Sequence, residues 1–164
     1  MRFGEDVDFS YKVKEGGYSS KLFTDGWVYH KRRNTFRTFF KQVFNSGIAR
    51  IHLTKRHPGS LKLVHLLPGV FTVGEALLVV CALLSGIMFG WKIALLCISP
   101  LLLLGTVIAL DATLRKGSLK TGLCSVCTSF VQLTGYGSGL LAGWWNICIL
   151  GNGNYAAFVK NFYK

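Results

Sequence analysis

The sequence predicts a mainly α-helical membrane protein with a polar, cationic first part. Three observations predict it. Residues 1–66 carry 13 Lys and Arg against 5 Asp and Glu, whereas residues 67–164 carry 6 against 2. Hydrophobic residues make up 51% of the 164-residue chain, above the usage of ordinary soluble domains. Ile93 to Leu110 runs for eighteen residues without a charge, close to the ~20 apolar residues that a bilayer-spanning helix needs.

Each element follows from local pattern. Residues 7–14 suit a short helix, which Gly16-Gly17 stops. Tyr18 to Tyr29 reads as extended: Leu22-Phe23, a turn at Thr24-Asp25-Gly26, then Trp27-Val28-Tyr29. Asn34 or Thr35 can cap a helix running to about Lys55. Along it Phe36, Phe39, Phe40, Val43, Phe44, Ile48 and Ile51 recur at three- and four-residue steps. Pro58-Gly59 breaks that helix, and Leu61 to Leu67 suits a second short amphipathic piece. Basic residues opposite Leu and Phe fit an interfacial helix lying on a membrane surface; packing against another domain is the alternative. Residues 34–67 therefore form an amphipathic basic region.

Residues 68–164 form the membrane region, with two to three transmembrane helices expected at 68–90, 93–110 and 121–145. Trp91-Lys92 marks the hairpin between the first two, and Glu75 lies near the start of the first. Residues 115–120 return a basic loop to the side of the basic first part, which the positive-inside rule places in the cytoplasm. Met1-Arg2-Phe3-Gly4 leads straight into charged residues, so membrane targeting is expected from the later spans. Gly135, Gly139 and Gly143 form a doubled GxxxG, a seam for packing on the other spans or for a homodimer.

Composition also narrows the partners. The basic excess lies beside apolar spans and accompanies no recognised nucleic-acid motif, so it points to the lipid bilayer or to phosphorylated substrates. Cys81, Cys97, Cys124, Cys127 and Cys148 all lie in apolar stretches, which is no disulfide framework. Cys124 and Cys127 match CxxC, without a second pair or nearby His to make a metal site.

The acidic cluster Glu5-Asp6-Val7-Asp8 carries the chemistry, since three carboxylates in four positions suit proton abstraction from a hydroxyl. An exposed acidic turn gives the same letters. The order of motifs adds meaning. Gly4-Glu5-Asp6-Val7-Asp8-Phe9 is followed by Gly17-Tyr18 and Val28-Tyr29-His30. Phe39-Phe40-Lys41-Gln42-Val43-Phe44-Asn45-Ser46-Gly47 and a multi-span tail complete it. Over nearly the whole chain this resembles the C-terminal part of bacterial membrane-anchored family-2 glycosyltransferases, which extend surface polysaccharides or glycolipids.

The resemblance implies an inverting transfer of sugar from a nucleotide sugar to a glycan or lipid-linked acceptor, at the bacterial inner membrane. It implies Asp6 as catalytic base, with Glu5 and Asp8 as supporting acids. It implies substrate contacts from His30, Arg32, Arg33 and Gln42. The QxxRW pattern of processive synthases is absent, because Asn45 and Ser46 stand where Arg and Trp would. Residues 1–33 would be a short α/β remnant of a GT-A-type catalytic domain. The family's nucleotide-sugar domain and DxD metal ligands would lie ahead of it, so Met1 looks internal to a longer protein. The full-length family implies Mg or Mn; no metal is expected bound to this chain, which is expected to be inactive alone. The alternative is a non-catalytic membrane anchor or partner subunit.

Overall fold

The structure, a computed structural model, describes residues 4–29 and 35–158. Five α-helices carry the fold: α1 (Glu5–Glu15), α2 (Phe36–Arg56), α3 (Leu63–Phe89), α4 (Trp91–Lys116) and α5 (Leu119–Gly143). A π-helical turn, Trp144–Ile149, continues α5.

The first helix ends where the glycines predict. Gly17 adopts φ 77°, and the Tyr18 N–H returns to the Val13 carbonyl at 3.0 Å. The segment after it differs from expectation. Thr24-Asp25 turns, yet among the described residues there is no strand, so no α/β remnant forms here. The reason is visible in exposure: Leu22, Phe23, Trp27, Val28 and Tyr29 are all solvent-facing. Without a sheet to pair with, extended arms have no ladder to join.

The second helix starts at its predicted cap. Thr35 Oγ1 accepts the Thr38 N–H at 3.3 Å. Its apolar face meets α5, where Ile48, Ile51, Leu140 and Ile147 form the buried core. Phe44, Tyr136, Tyr155 and Ala157 pack around them. The short helix expected at Leu61–Leu67 is instead the beginning of α3, which passes through Pro68 without breaking. The boundary placed at 67/68 thus falls inside a helix.

α3 and α4 turn back on each other at Gly90, φ 89°. They hold 27 and 26 residues, and both are long and apolar enough to cross a membrane. At 1.5 Å per residue each reaches roughly 40 Å, against a hydrocarbon core of ~30 Å. Only 6% and 0% of their most apolar stretches are buried within the protein. A core helix of a soluble protein would hide that surface; these leave it outward.

The third apolar segment forms a helix but takes another path. α5 meets α4 where Gly122 abuts Thr113 and Ala109. It meets α3 through Phe71–Phe130, Thr72–Leu133, Glu75–Thr134 and Gly69–Leu140. Those contacts cover two turns of α3 but three turns of α5, so α5 crosses the hairpin near its Leu63 end. It then runs beside α2. Two helices, not three, qualify as candidate spans among the described residues.

The glycine seam is filled from within the chain. A Cβ on Gly139 would run into the Phe44 carbonyl, and one on Gly47 would strike the Tyr136 carbonyl. Gly135 lies against Val43 and Phe40, and Gly143 against Ile48. The three glycines considered for a homodimer therefore face α2 of the same chain.

Candidate functional site

The acidic turn is divided by its surroundings. Glu5, Asp6 and Asp8 all lie in the first turn of α1, where carboxylates favour the positive end of the helix dipole. Glu5 and Asp6 are exposed, whereas Asp8 retains 6% of its surface. The helical period explains this: Asp6 and Asp8 are about 200° apart around the axis.

Asp8 is held by three cations. His57 Nε2 donates to Oδ1 at 2.9 Å. Arg56 and Lys12 both reach Oδ2 at 3.1 Å. His57 is itself shared, its Nδ1 lying 2.5 Å from Glu15 Oε1. Tyr11 stacks on its ring with centroids 4.9 Å apart. The result is an imidazole between two carboxylates, buried to 7% exposure at the end of α2.

Both titrations follow from this geometry. The His57 hydrogen bond, then that from Lys12, hold the Asp8 carboxyl at about 2, below its ordinary 3.8. Asp8, then Glu15, raise His57 above its ordinary 6.5. Each carboxylate favours the doubly protonated ring because both ring nitrogens then donate. The cluster ties α1 to the end of α2 and leaves Asp6 displayed on the opposite side.

The remaining expected site residues do not gather here. Gln42 is exposed on α2, and fourteen positions separate it from Arg56. At 1.5 Å per residue that is roughly 21 Å along the helix. Its carbonyl accepts the Ser46 hydroxyl at 3.0 Å. His30, Arg32 and Arg33 lie outside the described residues. The five cysteines are unpaired thiols.

Sequence reasoning missed His57, Arg56, Lys12 and Glu15. The available signal was the basic pair Arg56-His57 at a helix end, a place that favours cations. What it lacked was the partner, because α1 and α2 are joined only by tertiary contact.

Among the described residues no group of three or more His, Cys, Asp or Glu is arranged to hold a metal. Asp8 does not fit as a ligand, since its oxygens already accept from three cationic groups. No protein family, no curated protein and no solved structure matches this chain.

Proposed function

We propose that this chain is the C-terminal, acceptor-side part of an inverting glycosyltransferase of the bacterial inner membrane. It would act with a nucleotide-sugar-binding unit and transfer a sugar to a glycan or lipid-linked acceptor. One observation carries the reading: an exposed acidic turn, Glu5 and Asp6, is fixed through Asp8 and His57 to the body that bears two bilayer-length helices. A base acting on a membrane-bound hydroxyl has to be held at a set position relative to the lipid surface.

In this reading Asp6 accepts the proton of the acceptor hydroxyl as that oxygen attacks the anomeric carbon, while the bond from that carbon to the nucleoside diphosphate breaks and the diphosphate leaves from the opposite face. Glu5 shapes the local field. Asp8 acts as a positioning residue through His57, and not as a second acid. Lys62 at one helix end, with Arg115, Lys116 and Lys120 near the other, supports a cytoplasmic side for the Leu63 and Lys116 ends of the hairpin. The divalent metal implied by the resemblance would belong to the nucleotide-sugar-binding unit, since among the described residues the acidic turn forms no metal-holding group.

A second reading, a non-catalytic anchor or partner subunit, is favoured by residues 18–29. Tyr18, Phe23 and Trp27 are exposed there at 75%, 69% and 68%, an aromatic surface suited to a covering protein.

The test joins genetics to assay. The DNA immediately upstream of the Met1 codon is read for an in-frame or adjacent nucleotide-sugar domain. The chain is then assayed in nanodiscs for nucleotide diphosphate release, alone and with that unit. The transferase reading expects no release alone, release with the unit, and loss of turnover but not of donor binding in Asp6→Asn. Full turnover in Asp6→Asn, or no such unit, leaves the anchor reading.

A further inference from the structure

We infer that the α3–α4 hairpin receives a transmembrane helix of a different protein, whose Lys or Arg at mid-membrane depth pairs with Glu75. This requires α3 to cross a bilayer and is independent of glycosyl transfer.

Glu75 is an acid without a counter-charge. It lies twelve positions after Leu63 and fourteen before Phe89, roughly 18 Å and 21 Å along the axis, and so near the middle of α3. Its Oε2 accepts the Thr134 hydroxyl at 2.7 Å. A carboxylate offers about four acceptor sites, yet among the described residues Glu75 makes no other side-chain hydrogen bond and no ion pair. The apolar helices supply no cation. No Lys or Arg occurs between Lys62 and Lys92, between Lys92 and Arg115, or between Lys120 and Lys160. Ionisable side chains inside a membrane are costly and pair with one another or with backbone carbonyls. A half-buried carboxylate held by one hydroxyl therefore asks for a cation from outside the chain.

A groove begins beside it. The α5 contacts described above reach along α3 as far as Glu75. One turn farther on, Val79 opens an apolar groove of about 360 Å³ between α3 and α4. Ala82 and Ala94 also line it, together with Leu83, Trp91 and Leu95. Ala82 is buried, whereas Leu83, Trp91 and Leu95 are exposed, which sets small residues between large outward side chains. Glu75, Val79 and Ala82 share one face of α3, within about 60° around its axis. The carboxylate thus stands at the inner end of a groove that runs from mid-helix toward the turn at Gly90.

Depth selects the occupant. A lipid tail fills apolar space but brings no charge, and a lipid ammonium stays with the headgroups, roughly 15 Å from the middle of a ~30 Å hydrocarbon core. A second copy of this chain has the same gaps in Lys and Arg, so it carries no cation to that depth. A helix of another protein can present a basic side chain at mid-membrane. Small residues in the groove let its backbone approach closely, and the charge pair then fixes register and partner choice.

Synthetic transmembrane helices test this. A Leu- and Ala-rich peptide with one Lys at its centre is compared with the same peptide carrying Leu there. A third peptide has its Lys moved two turns toward one end. Each is reconstituted with the full-length chain in phosphatidylcholine vesicles, and association is read by energy transfer between dyes on the two amino termini. The central-Lys peptide is expected to bind about tenfold or more tightly than either control. Glu75→Gln should erase that preference and leave binding of the Leu peptide unchanged. Ala82→Phe, which fills the groove, should weaken all three. Circular dichroism confirms folding. If Glu75→Gln fails to fold, the peptide series on the native chain and Ala82→Phe carry the comparison. Equal binding of the central-Lys and Leu peptides overturns the proposal, as does a preference that survives Glu75→Gln or Ala82→Phe. Energy transfer between two copies of the chain, lost in Ala82→Phe, would give the groove to a second copy and overturn it too.

Discussion

Asp8 and His57, 49 positions apart, are joined by a 2.9 Å hydrogen bond that fixes the first helix to the end of the second. That bond is strongest when the carboxylate is ionised and the imidazole is protonated. The two conditions overlap only over a window of pH.

The window has a definite sign at each edge. Asp8 has a lowered pKa, so its contribution is full above 3.8 and fades as pH falls toward about 2. His57 has a raised pKa, so its contribution is full below 6.5 and is lost as pH rises through the elevated value. Amide protection of α1 should be greatest between about pH 4 and 6.5 and decline on either side. Hydrogen exchange across that range checks it, after correction for intrinsic rates. A flat profile would detach α1 docking from this pair. In Asp8→Asn the alkaline decline should shrink, and α1 should exchange nearly as fast as residues 18–29.

Gly139→Ala should destabilise the α2–α5 packing by about 1–3 kcal/mol, toward the upper end. The added methyl meets the Phe44 carbonyl, a backbone atom that no rotamer change can move aside. Thermal unfolding in detergent, followed by near-ultraviolet dichroism, measures it. An unchanged midpoint would mean that α2 and α5 are farther apart than described.

Asn45→Leu should stabilise the protein by about 1 kcal/mol or more. Asn45 is fully buried, and neither its Nδ2 nor its Oδ1 has a partner. Leucine keeps the branch at Cγ and the same number of side-chain heavy atoms, and it has nothing to desolvate. The same unfolding assay decides, and a clear loss of stability would reveal a hidden partner for the amide.

Asp6→Asn should leave stability within about 0.5 kcal/mol, since an exposed surface change seldom does more. Asp8→Asn should lower it. If Asp6 is the base, its loss should remove transfer by the reconstituted enzyme while the melting midpoint stays put. A fall in both together would make Asp6 structural.

The helices were legible because their signals are local. Gly16-Gly17, Thr35 and Gly90 stand where chain direction changes, and their neighbours fix the boundaries within a few residues. The path of α5 was not legible. Its uncharged run satisfies the rule for a span, but Gly122, Gly135 and Gly139 permit backbone approach at angles that composition does not record. The fate of the acidic turn was equally hidden. Glu5, Asp6 and Asp8 are alike in sequence, and Arg56 and His57, brought from the far end of α2 to join Lys12, separate the engaged acid from the displayed ones.

The Gly139–Phe44 contact also has a consequence in time. Its two halves lie 95 residues apart, and a ribosome adding about 5–20 residues per second needs on the order of ten seconds to bridge them. Throughout that interval Phe44, Ile48 and Ile51 have emerged without their partner. The nascent chain must rest this face on the lipid surface, or on a chaperone, while the hairpin is synthesised and inserted. Chains arrested just before Gly135 should therefore be open to protease along α2, and those released after Ile149 should be closed.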